Sequence, residues 1–159
     1  MNSSKNSNLS DRFTGRATDY ADYRPKYPTS VIDFLFDHSY LTSSDIIADI
    51  GSGTGKFTEM LLKQGNFVYA VEPNLSMRTV AKKKLIDYSN FQSVAGSAEH
   101  TFLPSNFIDI ITVAQALHWF KFQNTRLEFQ RILKPTGLVI IIWNERKKAT
   151  NSFGGDYDE

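Results

Sequence analysis

Residues 45–57 read D-I-I-A-D-I-G-S-G-T-G-K-F. A short apolar, β-branched run stops at a glycine cluster, and Phe57, Met60 and Leu61 then follow at helical spacing until Gly65 supplies a stop. The same rhythm recurs downstream. Apolar runs begin at Phe67 (F-V-Y-A-V-E-P), Phe91 (F-Q-S-V-A-G-S-A), Ile108 (I-D-I-I-T-V-A-Q-A) and Gly137 (G-L-V-I-I-I-W). Runs apolar on both faces fit strands covered on both sides, as in a parallel sheet. Helical stripes fill the gaps: Met77, Val80, Ala81 and Leu85, then Phe129, Ile132 and Leu133, with Pro135 and Gly137 expected to break that helix before the last strand. Ahead of the first strand, Val31 to Phe36 reads as a further helix with Thr29 or Ser30 as its N-cap. Strands alternating with helices predict an α/β fold, a doubly wound parallel sheet of five visible strands joined by right-handed crossovers. Ligands in such folds bind beyond the carboxyl ends of the strands, so the loops to inspect follow Ile50, Val71, Val94, Val113 and Ile142.

Composition sets the frame. The chain has 159 residues, 41 % hydrophobic and 22 % charged, an ordinary balance for one globular domain. The net charge is +1, without the basic excess of a nucleic-acid binder. There are no cysteines, which removes disulfides, thiolate metal sites and cysteine nucleophiles. The longest apolar run, Leu138 to Trp143, is too short for a bilayer, and no signal-peptide core opens the chain. A cytoplasmic protein is expected. Residues 1–12 are dominated by Asn and Ser and are expected to be a disordered tail.

The loop after Ile50 holds Gly51, Ser52, Gly53 and Gly55. Glycines between a strand and a helix start permit positive φ and close approach of a ligand to the backbone. A phosphate-binding Walker loop fails here, because Ile50 takes the position of its first glycine and Phe57 follows Lys56 where Ser or Thr is required. A dinucleotide G-x-G-x-x-G is weakened, because its third glycine would fall on Lys56. Glu72, at the end of the second strand, is 21 residues beyond Gly51, where a carboxylate can accept both hydroxyls of a ribose; it would also serve as a solvated helix cap.

The pattern Asp49-x-Gly51-x-Gly53-x-Gly55 resembles motif I of the class I S-adenosylmethionine (SAM) methyltransferases. The run V-E-P-N-L-S-M, carrying Glu72, Pro73, Asn74 and Met77, resembles the same family, as does G-S-A-E with Ala98 and Glu99. Q-A-L-H-W-F, with Gln115, Ala116 and His118, resembles the ubiquinone/menaquinone and trans-aconitate branch. F-T-G-R-A-T-D-Y-A-D-Y-R-P-K-Y-P, Phe13 to Pro28, also resembles that branch. The resemblance covers Phe13 to Glu145 and implies a Rossmann-like fold, SAM as cofactor, S-adenosylhomocysteine as product, a small-molecule methyl acceptor and no metal. It implies cofactor contacts from Tyr20, Arg24, Asp49, Gly51, Ser52, Gly53, Gly55, Glu72, Pro73, Asn74, Met77, Ala98, Glu99, Gln115 and Ala116, with Glu99 on the adenine amino group. The other reading of Phe13 to Pro28 is that Tyr23, Pro25, Tyr27 and Pro28 pin an extended segment to the domain. His118 is the candidate base, with packing beside Trp119 as its other reading, and Trp119, Phe120 and Phe122 suit either an aromatic acceptor or the core. No nucleic-acid partner is implied, since the Asn/Asp/Ser-Pro-Pro-aromatic tetrad of base methylases is missing after the fourth strand.

Members of this branch add a helix and an antiparallel strand pair after the fifth strand. Here 16 residues follow Trp143 and hold no strand-like run, so residues 146–159 read as the irregular end of a truncated or minimal form. The rival readings are a non-catalytic SAM-binding module and, less well matched, an NAD-dependent oxidoreductase.

Overall fold

A computed structural model describes residues 27–38 and 40–144. Tyr20, Arg24, the expected tail at 1–12 and the segment 146–159 lie outside the described residues.

Helix α1 (Thr29–Asp37) precedes strand β1 (Ile46–Ile50), followed by α2 (Lys56–Lys63), β2 (Phe67–Val71), α3 (Leu75–Lys84), β3 (Phe91–Val94), β4 (Ile108–Ala114), a 3₁₀ turn (Leu117–Trp119), α4 (Phe122–Ile132) and β5 (Leu133–Ile142). The five strands form one sheet in the order β3-β2-β1-β4-β5, and every pairing is parallel. The chain runs outward from β1 to β3, then returns to lay β4 on the other side of β1. That reversal opens a crevice at the carboxyl ends of β1 and β4.

The period of two along the strands divides the core into two layers. Ile47, Val68 and Ile110 pack with Ile32 and Leu35 of α1 and Phe57, Leu61 and Leu62 of α2. Ala48, Ile50, Val71, Ile111 and Val113 point the other way, onto Phe129 and Ile132 of α4 and Leu103. The central strands are therefore buried on both faces, as their continuous apolar runs require.

Two local expectations need correction. Helix α1 starts at Thr29 with Pro28 at the cap position, so neither Thr29 nor Ser30 caps it. Pro28 suits that place because its φ of −63° is already close to helical and the first turn has no use for its missing N–H. More telling, Pro135 and Gly137 do not separate α4 from the last strand. Strand β5 begins at Leu133, directly after the helix. It pairs Ile108 with Leu133 but Ile110 with Leu138, so the one residue between them on β4 faces four on β5. Pro135 sits in that irregularity, where the ladder asks it for no N–H.

The strand with the strongest apolar run is also the most exposed. Leu138, Val139 and Ile141 are 45 %, 42 % and 53 % accessible, because β5 lies at the sheet edge and no described element flanks it on the outer side. No described helix is long and apolar enough to cross a membrane.

Candidate functional site

The glycine loop closes on β2. The N–H groups of Gly51 and Ser52 both donate to the Val71 carbonyl, at 2.8 and 3.2 Å. All three loop glycines have positive φ, of 72°, 57° and 77°, a region L side chains enter at a cost. Their surroundings differ. A Cβ on Gly51 would stand 2.6 Å from the Ala116 Cβ and 3.4 Å from the Phe120 ring. One on Gly55 would stand 2.8 Å from Leu85. One on Gly53 would meet nothing within 4 Å. Gly51 and Gly55 thus let neighbouring elements close in, while Gly53 faces open space.

Asp49 underpins this loop without facing it. It is buried at the end of β1, accepting from the Thr58 hydroxyl at 2.6 Å and the Thr112 hydroxyl at 2.9 Å. Burial lifts its pKa to about 6, against the lowering by the two hydroxyls, and the nearby Glu72 carboxylate adds to the rise. Asp49 therefore ties β1 to α2 and β4. Thr58 and Thr112 were not singled out in the sequence, where they stand 9 and 63 residues from their partner.

Glu72 is buried beside the open side of the loop. Its Oε2 accepts from the Gly53 N–H at 3.0 Å and its Oε1 from the Asn74 N–H at 2.9 Å. Burial raises its pKa, and the two N–H groups and Arg78 counter it. Arg78 donates to the carbonyls of Glu72 and Pro73, both at 2.7 Å. Each Glu72 oxygen retains acceptor capacity for an incoming hydroxyl. Asn74 caps α3 through the Met77 N–H at 3.0 Å, and Met77 is buried. Pro73 is exposed.

Ala98 is buried in the third loop, and Glu99 next to it accepts from the Lys121 N–H at 2.8 Å. Partial burial raises the Glu99 pKa, but the Lys121 N–H and the Ser97 hydroxyl outweigh it and hold the carboxyl below its ordinary value. Glu99 thus supports the segment entering α4.

In the fourth loop Gln115 has a φ of 59°. Its N–H donates to the Ile142 carbonyl at 3.0 Å, and its side-chain Nε2 to the Asn144 carbonyl at 3.2 Å. Ala116 and Phe120 lie against Gly51. His118 is exposed, its ring 4.6 Å from that of Trp119 and 5.3 Å from that of Trp143. Trp119 and Phe122 are exposed at 42 % and 74 %, so neither is a core residue; Phe120 is half-buried on the glycine loop. Trp143, treated above only as a strand end, joins this cluster.

The fold thus draws the loops after β1, β2 and β4 together through the Gly53–Glu72 and Gly51–Ala116 contacts, with the third loop tied to α4's entry by Glu99. Among the described residues no group of three or more His, Asp and Glu side chains is placed to hold a metal ion.

Residues 48–141 match the family described as "Methyltransferase domain". The chain belongs to that family. A methyltransferase-like protein of Schizosaccharomyces pombe is 35 % identical over 133 residues, 81 % of this chain and 51 % of the relative. A ubiquinone/menaquinone biosynthesis C-methyltransferase of Cupriavidus pinatubonensis is 32 % identical over 113 residues, 65 % of this chain and 46 % of the relative. A SAM-dependent methyltransferase of Aquifex aeolicus superposes with a TM-score of 0.71 at 22 % identity, over 84 % of this chain and 75 % of that one, a likeness of fold. This methyltransferase domain spans about half the length of the curated relatives it matches. The parallel sheet in the order 3-2-1-4-5, with helices on both faces, is the architecture expected of the family.

Proposed function

We propose that the chain binds SAM at the carboxyl ends of β1, β2 and β4 and, alone or as part of a longer protein, transfers its methyl group to a small molecule. The observation that carries this reading is Glu72: a buried carboxylate at the end of β2, hydrogen-bonded to the Gly53 N–H beside open space. A ribose with two adjacent hydroxyls matches its remaining acceptor positions. Gly53 lets the ligand approach the backbone, Asp49 holds the loop from beneath, and Ala98 and Glu99 border the next loop. The small-molecule acceptor is supported by the family and by the Cupriavidus relative's named role in quinone biosynthesis.

The donor of such a reaction arrives as an activated sulfonium, so alignment for in-line displacement supplies much of the rate, roughly 7–11 kcal/mol for well-oriented partners. The protein's part is to hold both reactants at the crevice. His118 is the side chain in the β4 loop able to take a proton from an acceptor that must lose one.

Calorimetric titration with S-adenosylhomocysteine, with NAD as control, tests the reading. Saturable binding that Glu72→Ala abolishes, and no binding of NAD, is expected. Binding unaffected by Glu72→Ala, or preference for NAD, overturns it. The second reading is a non-catalytic SAM-binding module. Transfer of a tritiated methyl group to cell extract separates the two.

A further inference from the structure

We propose that the outer edge of β5 docks a second copy of this chain, the two edges pairing antiparallel about a twofold axis at Ile141. The inference goes beyond the methyltransferase reading and does not depend on it. Strand β5 is hydrogen-bonded to β4 on one side and to no described strand on the other. The Ile142 carbonyl accepts from the Gln115 N–H, so Ile142 turns its backbone groups toward β4. Alternation along the strand then turns the N–H and C=O groups of Val139 and Ile141 to the open side. Such a row of free backbone groups is a template for one more strand.

Edges that must stay single are blunted by lysine, proline or other interruptions. In β5 these are confined to Lys134 and Pro135, in its irregular first half. From Leu138 to Trp143 every residue is apolar and none is charged. Leu138, Val139, Ile141 and Trp143 are each about half exposed. An open groove of about 630 Å³ follows the same edge, bordered on its far side by Val31 and Phe34 of α1 and by Tyr40.

Charge and area select a second copy as the occupant. A twofold interface requires a patch that complements itself. An uncharged strand laid antiparallel on its own copy sets no like charges opposite each other. With Ile141 opposite the partner's Ile141 as a hydrogen-bonded pair, Val139 faces the partner's Trp143 on the same side of the sheet. On the other side, where Ile140 and Ile142 pack with the α1 layer, the two copies of α1 flank the junction. The exposed parts of Phe34, Tyr40, Leu138, Val139, Ile141 and Trp143 come to about 600 Å² per copy, or about 1,200 Å² for the pair, the lower end of a specific interface. Residues 146–159 offer Ala149, Phe153 and Tyr157 as their apolar side chains, too few to match the run from Leu138 to Trp143.

Sedimentation equilibrium of the full chain across the micromolar range tests the proposal. The mass should rise from one chain to two and stop there. Over the same range the amides of Val139 and Ile141 should gain protection from hydrogen exchange. Ile141→Lys and Ile141→Glu alter a half-exposed side chain, so both should fold, and their urea midpoints check this. Each variant alone should associate at least about tenfold more weakly, because like charges then meet at the axis. An equimolar mixture of the two should regain the mass of two chains, because Lys then faces Glu. A chain that stays single with both amides unprotected overturns the proposal. So does one that stays single with both amides protected, since another part of the same chain then covers the edge. Growth beyond two copies, variants that pair as well as the parent, or a mixture that stays single overturn it equally.

Discussion

One added methyl group should act differently at positions 51 and 53. In Gly51→Ala the new carbon meets the Ala116 Cβ at 2.6 Å, with φ at 72°. Overpacking and backbone strain together should lower stability by about 2–4 kcal/mol and separate the β1 loop from the β4 loop. In Gly53→Ala the carbon meets nothing, so the cost should be the backbone strain alone, about 1 kcal/mol, yet the methyl group occupies the space offered to a ligand. Urea unfolding and S-adenosylhomocysteine titration of both variants check this. Gly51→Ala should be the less stable, and Gly53→Ala should keep most of its stability while losing affinity. The glycines themselves were plain in the sequence; their division of labour was not, because it depends on Ala116 and Leu85, far along the chain. Asp49 shows the same limit. Its place in the motif suggested a ligand contact, while the hydroxyls that hold it come from α2, where Thr58 follows nine residues later, and from β4, whose Thr112 arrives only once β1 lies beside β4.

Helix α4 owes its position to a compact polar knot as well as to Phe129 and Ile132. Glu128 accepts from both the N–H and the hydroxyl of Thr101, at 2.8 and 2.6 Å, and from Arg131 through Nε and a terminal nitrogen, both at 2.8 Å. Arg131 also donates to the Leu103 carbonyl at 2.8 Å. Residues 101–105 are thereby laced to the helix. Glu128→Ala should cost about 2–3 kcal/mol by stranding the Thr101 N–H and freeing Arg131, and Glu128→Gln less. Hydrogen exchange should show the loss first at 101–105. None of this was legible beforehand, because a Glu and an Arg three apart on a helix read as a surface pair. The strands were legible, since burial on both faces leaves a continuous apolar run. Neighbours were not: Gly137–Trp143 has the strongest run and lies at the edge, where composition says nothing about what stands alongside.

At the scale of the molecule, buried carboxylates shape the response to pH in opposite directions, Glu128 in one and Asp49 with Glu72 in the other. Glu128 titrates near 2, held down by Arg131 and Thr101, so its stabilisation is complete above about 4.5 and lost as pH falls toward 2. Asp49 is lifted from 3.8 to about 6 by burial, so the folded state keeps a proton that the unfolded chain gives up. Stability should therefore fall as pH rises from about 4 to about 6, by on the order of 3 kcal/mol. Asp49→Asn should shrink that limb to the part left by Glu72, whose pKa burial also raises, and leave the acid limb in place, as urea midpoints measured from pH 3 to 8 will show; a limb of undiminished size belongs to another group. The crevice above Asp49 is assembled from four loops spread over residues 51–120, and among the described residues hydrogen bonds tie these loops to one another and to the elements beside them. The consequence is kinetic. A ligand entering over Gly53 waits for none of these four loops to organise, so its observed association rate should show no plateau set by their rearrangement as its concentration climbs.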